Sequence, residues 1–109
     1  MTQVVIFKYP EAILYYMRVS DLTPGKRVDV MDLRVIRLIS ESSAKVYGRP
    51  RLIRNLRVAD DSGECDLSLM DPTVSPSPGD LLRLVNGYVR RRPGGITLTL
   101  GKFGRLEVL

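Results

Sequence analysis

An all-β fold, a small five-stranded barrel of Greek-key type, is what this sequence predicts, and three observations carry the expectation. The chain has 109 residues, enough for one hydrophobic core and not for two. Five runs rich in Val, Ile and Leu show the two-residue alternation of half-buried strands. Turns bearing glycine, proline and aspartate separate those runs, a spacing that suits a closed barrel better than an open sheet.

Residues 1–20 form a short N-terminal extension and residues 21–109 the barrel. In the extension, Val4-Val5-Ile6-Phe7 reads as a short strand. Glu11 to Met17 reads as one or two helical turns, because Pro10 suits a first helical turn. Leu22-Thr23-Pro24-Gly25 is a turn, with Pro fixing one backbone angle and Gly tolerating the next.

The first barrel strand runs from Val28 to Ile39. Its apolar phase slips near Met31-Asp32, since Val28 and Val30 have one parity and Leu33 and Val35 the other. A bulge or sharp coil is expected there. Ser40 to Pro50 is polar and reads as an exposed loop carrying Lys45, Tyr47 and Arg49. In the second strand Leu56 and Val58 point to the core, and Arg57 shares the outward parity of Ile53, Asn55 and Ala59.

Asp60-Asp61-Ser62-Gly63 is a turn in which acidic and hydroxyl side chains hold backbone amides and Gly63 takes a positive angle. Cys65, Leu67 and Leu69 then alternate with Asp66, Ser68 and Met70, which leaves Met70 outside. The three prolines between Pro72 and Gly79 make a stiff connector. Strand character returns from Asp80 to Val89. The basic run Arg90-Arg91-Arg92 and the turn Pro93-Gly94-Gly95 follow. Ile96, Leu98 and Leu100 alternate with Thr97 and Thr99, and Arg105 to Leu109 closes the sheet.

Composition excludes several functions. There is no histidine and only one cysteine, Cys65, so the usual proton shuttle, a thiolate cluster and an internal disulfide are all missing. The glycines do not form a phosphate loop, and the aspartates suit turns better than a metal site. The expectation is a non-enzymatic chain with no cofactor and no metal. A net charge of +5 and a pI of about 9.7 are compatible with a polyanionic partner. No apolar stretch is long enough to span a bilayer, and neither terminus has the form of a signal peptide. An intracellular protein without membrane contact is expected.

Several segments in order carry a family resemblance: Leu22-Thr23-Pro24-Gly25, Val58-Ala59-Asp60-Asp61-Ser62-Gly63, Leu69-Met70-Asp71, Pro78-Gly79-Asp80, Asn86-Gly87-Tyr88 and Leu98-Thr99-Leu100-Gly101-Lys102. Together they resemble the single-domain OB-fold proteins that bind single-stranded DNA in archaea and eukaryotes, the family of the sensor-of-single-stranded-DNA subunits. The resemblance spans Asp21 to Gly104. It implies a barrel whose outer sheet stacks bases on aromatic rings and holds the backbone with cations.

Tyr88 matches the platform tyrosine of that pattern. Met70 stands where the family has tryptophan, Arg92 where it has a second aromatic, and Thr99 where it has a third, so only part of the platform remains. An arginine at 92 can still stack through its planar guanidinium or bind phosphate. The candidate nucleic-acid-binding residues are Tyr88, Arg92, Arg57, Met70, Arg90, Thr99, Lys102 and Arg54. The leading expectation is binding of single-stranded DNA in genome maintenance, in a nucleus if the source is eukaryotic and in the cytoplasm if it is archaeal.

Two alternatives stay open. One is an OB subunit that docks proteins in a repair, replication or telomere complex, for which methionine is an adaptable contact. The other is an RNA-binding OB protein, since strand periodicity does not place the groups that read a ribose.

Overall fold

The computed structural model describes the backbone of residues 3–6 and 13–109, with side chains from Tyr16 onward. Seven strands follow in order. These are β1 (Gln3–Ile6), β2 (Ile13–Tyr16), β3 (Arg27–Val46), β4 (Arg49–Asp60), β5 (Gly63–Met70), β6 (Leu81–Arg92) and β7 (Gly95–Val108). A 3-10 turn at Val19–Asp21 is the only helical piece among the described residues.

The last five strands close on themselves in the order β3-β4-β5-β7-β6, with β6 returning to β3. Every barrel ladder is antiparallel except β5 with β7, which is parallel. The five-stranded barrel is therefore as the alternation predicts. Its interior is aliphatic. Met31, Leu33, Leu56, Leu67, Leu69, Leu82, Leu84 and Leu98 are almost wholly buried, and each contributes about 1.5–3 kcal/mol by leaving water.

The extension differs from its reading. Ile13–Tyr16 is a strand, antiparallel to β1 and joined to the barrel by a parallel pairing of Tyr16 with Val30, not a helical turn. Phe7, Pro10, Glu11 and Ala12 lie outside the described residues. The phase slip in the first barrel strand falls at Val30 and Met31, both buried. No bulge marks it against β6, where the register runs unbroken. The irregularities of β3 lie further on, at Val35/Arg37 and Leu38/Ser40 against β4.

Ser40 to Pro50 is not a loop. β3 and β4 continue as a two-stranded ribbon to the pair Val46 and Arg49, turned by Tyr47 and Gly48 at φ 52° and 77°. Two successive positive angles make the tight hairpin turn whose twist matches its strands, and Gly48 supplies one at no steric cost. The polar composition that suggests a loop comes from a ribbon solvated on both faces. Two of its cross-strand pairs are polar: Asn55 donates to Ser40 at 3.0 Å, and Arg54 donates twice to Glu41 at 2.7 and 3.0 Å. The basic run also stays in strand, since β6 reaches Arg92 before Pro93 and Gly94 turn the chain.

The Asp60–Gly63 turn holds more than itself. The Asp60 carboxylate accepts from the amide of Ser62 at 2.7 Å and, across the chain, from the amide of Val19 at 2.8 Å. The Ser20 amide donates to the Ser62 hydroxyl at 3.0 Å, and Arg18 pairs with Asp61 at 2.9 Å. Gly63 does not take the positive angle, and the space at its Cα leaves only ordinary contact with Val19. A Cβ at Gly63 would lie 3.4 Å from the Val19 side chain, and its φ is outside the left-handed region, contrary to expectation.

Candidate nucleic-acid interface

The outer surface of β4, β5, β7 and β6 is laid out in cross-strand rows, because paired residues point to the same face of a sheet. One row runs Arg27, Tyr88, Thr99, Ser68, Asn55. The next runs Arg90, Thr97, Asp66, Arg57. Arg90 and Arg92 share this outward parity, whereas Arg91 has the opposite one.

A groove of about 470 Å³ crosses the first row. It gathers five of the eight sequence candidates: Tyr88, Met70, Arg90, Thr99 and Lys102. Tyr88 is 37% exposed and Met70 53%, so both present surface to a ligand. Thr99 is 9% exposed, and its hydroxyl is buried without a hydrogen-bond partner among the described residues. Among the described residues neither Arg90 nor Lys102 is in an ion pair with an acidic side chain. The acidic side chain lining the groove, Asp71, is occupied: it accepts from Arg51 at 2.7 Å and from the Leu52 amide at 2.9 Å. The Leu52 amide and then Arg51 hold its carboxyl below the usual carboxylate range.

Arg57 and Arg92 sit apart, in a neighbouring depression with Glu64 and Asp66. Asp66 binds Arg57 through one oxygen at 2.8 Å and Arg92 through the other at 2.9 Å. Glu64 adds a 3.2 Å contact to Arg57, and Arg92 also donates to the Thr97 hydroxyl at 3.2 Å. Hydrogen bonds from Arg57 to Asp66 and then Glu64 raise the guanidinium above its ordinary pKa. This half of the face is charge-compensated. Arg54 is in neither depression, with its guanidinium committed to Glu41.

Two residues absent from the sequence candidates line a second depression, which shares Tyr88, Gly101 and Lys102 with the groove. Arg27 stands opposite Tyr88 across the β3–β6 ladder. Phe103, 81% exposed, lies on an excursion of β7. Between the pairs Gly87–Leu100 and Val85–Arg105, β6 supplies Asn86 alone while β7 supplies Gly101, Lys102, Phe103 and Gly104. The surplus chain folds around the Asn86 carbonyl oxygen so closely that a Cβ at Gly104 would come within 2.6 Å of it. An aromatic residue enclosed between two glycines is the one signal in the sequence that marks the excursion.

No protein-family model matches the chain. Solved structures do. The OB domain of a Thermoplasma acidophilum protein superposes with a TM-score of 0.74 at 16% identity, covering 86% of this chain and 86% of that one. The second OB-fold domain of replication protein A from Methanococcus maripaludis gives 0.72 at 16% identity, over 86% of this chain and 94% of that one. A murine DNA-binding protein, solved bound to double-stranded DNA, gives 0.65 at 19% identity, over 85% of this chain and 46% of that one. At these identities the likeness establishes the fold: the barrel is an OB fold, similar to OB domains of archaeal replication protein A.

Proposed function

We propose that this chain is a non-enzymatic OB module that binds single-stranded nucleic acid, DNA in the first place, along the groove past Tyr88. The observation that carries the reading is the coincidence in one groove of an exposed ring and two cations with no acidic partner among the described residues. A ring takes a base face whatever the base, and cations hold the phosphates by releasing counterions. The likeness to an archaeal replication protein A domain and to a DNA-bound murine protein supports a nucleic-acid ligand. Genome maintenance is the corresponding cellular role, in a nucleus or in archaeal cytoplasm.

Fluorescence titration of the chain with unstructured DNA and RNA oligonucleotides at two salt concentrations tests this. Saturable binding that weakens with salt is expected, with DNA at least as tight as RNA. Tighter RNA binding would move the assignment to RNA, and no binding at low salt would remove it.

One observation favours a second reading, a surface for protein docking in a DNA repair, replication or telomere complex. Asp66 and Glu64 neutralise Arg57 and Arg92, and further along β5 Met70 offers an adaptable apolar contact. A partner complex with Tyr88 and Met70 covered by protein would establish it.

A further inference from the structure

The excursion of β7 at Gly101–Gly104 is unusual for the effort spent on placing it. Asn86 takes a left-handed φ of 57°, both flanking glycines crowd the Asn86 carbonyl, and the Asn86 amide side chain reaches the Phe103 carbonyl at 3.4 Å. A barrel strand needs none of this to pair with its neighbour. The result is a phenyl ring 81% exposed at the tip, with the Lys102 ammonium 5.6 Å from its centroid. Exposure of that degree has no account in the core.

We propose that the excursion is a second base-stacking platform, with Phe103 taking a base face and Lys102 the adjoining phosphate. A single strand that crosses Tyr88 continues over Phe103. The inference rests on the nucleic-acid reading above and adds a contact that this reading does not require. Tyr88 and Phe103 line one shallow depression of about 340 Å³ together with Arg27 and Lys102, and Tyr88 and Lys102 also line the main groove. The path between the two rings is therefore continuous.

The surroundings argue for a nucleic acid over a protein here. A protein hot spot is an aromatic anchor set in an apolar, water-excluded patch. Phe103 instead shares its depression with two cations, one other ring, Asn86 and glycine backbone. Alternating rings and cations along an open track is the composition that binds single strands without reading sequence.

The test is titration of the full chain with a fluorescently labelled oligothymidylate across a salt series, for wild type, Phe103→Leu, Lys102→Ala and Tyr88→Ala. Circular dichroism confirms that each variant is folded. Phe103→Leu keeps apolar bulk and removes the ring; it is expected to weaken binding by about 5- to 150-fold with the salt slope unchanged. Lys102→Ala should instead flatten the log–log salt slope by about 0.7, the value for one phosphate contact on a single strand. If Tyr88→Ala weakens binding while Phe103→Leu binds like wild type, the second platform is refuted and the groove reading stands. If folded wild type does not bind at low salt, both fall. Retained DNA binding by Phe103→Leu with loss of a protein partner would assign the excursion to protein docking.

Discussion

Tyr88 stands directly opposite Thr99 across the β6–β7 ladder, so an exposed phenol ring borders a buried hydroxyl that no described group satisfies. A buried polar group without a partner costs about 1–3 kcal/mol, and the fold tolerates it at the groove floor. Replacing Thr99 with isosteric valine is therefore expected to leave stability unchanged or to raise it by about 1 kcal/mol, read as a shift in the urea midpoint at constant slope. The buried hydroxyl offers a ligand no surface, so the same variant should bind single-stranded DNA like wild type. A clear drop in stability would mean that the hydroxyl has a partner in solution.

Tyr88 itself separates ring from hydroxyl. Tyr88→Phe is expected to retain DNA affinity within about twofold, and Tyr88→Ala to lose about 5- to 150-fold, the range for one stacked base. Equal loss in both variants would assign the contact to the phenol oxygen.

Asp66 restrains two arginines, one on each oxygen. Asp66→Asn should release them toward a polyanion, raising affinity at low salt and steepening the log–log salt slope by about 0.7 for each guanidinium that reaches a phosphate. The folding cost is modest, about 0.2–1 kcal/mol for each partly exposed pair. Arg54→Ala is the contrasting control: its guanidinium is held by Glu41, and the salt slope should not change. A reduced slope in Arg54→Ala would place the nucleic acid on the ribbon instead.

Much of this is legible in the sequence. Alternation in Cys65, Leu67 and Leu69 places the core side of one strand and leaves Met70 exposed, and the structure agrees. Parity also places Arg57 outward. What parity does not reveal is whether an outward cation is already paired. Arg57 and Arg92 meet Asp66 only because β5 runs between β4 and β7 and the β6–β7 hairpin folds Arg92 back over it, a consequence of register across three ladders. Ser40 to Pro50 misleads for a related reason, since hydropathy does not separate a loop from a ribbon whose two faces are both wet. Phe103 escapes because an excursion from a strand has no period to detect.

Acid should loosen the attachment of the 3-10 turn before it unfolds the barrel. Burial works to raise the Asp60 pKa, but the Ser62 hydroxyl and the amides of Val19, Ser62 and Gly63 outweigh it and hold the carboxyl below its ordinary value. A carboxylate with a depressed folded-state pKa gives stability that is complete above its unfolded value of about 3.9 and is lost as pH falls through the lower folded value. Amide exchange at Val19 and Ser20 should accelerate below about pH 4 relative to amides of the barrel core. Asp60→Asn should weaken the protection at neutral pH and remove its acid step. An unaltered acid step in that variant would transfer the effect to another carboxyl, such as Asp21.

Cys65 serves as an internal reporter of unfolding. Burial pushes its thiol up to about 12, partly offset by the nearby charge of Arg57. With almost no thiolate at pH 8 and 2% exposure, it should react with a disulfide reagent only through opened states, at a rate that follows denaturant. Rapid stoichiometric reaction of the native protein would show that β5 opens locally.

The division of β3 between two neighbours also governs the order in which the chain can assemble. Its later half pairs with β4, the next strand to be made, whereas Arg27–Arg34 must wait for Leu81–Tyr88. During synthesis the β3–β4–β5 meander emerges first with that early half of β3 unpaired by β6, and after Met70 the edge stays open until the chain has reached Tyr88, about 1–4 s at ordinary elongation rates. An open edge is a template for adventitious strand pairing. Arg27, Asp29, Asp32 and Arg34 intersperse this stretch with charges of both signs, the kind of edge that resists adventitious strand pairing.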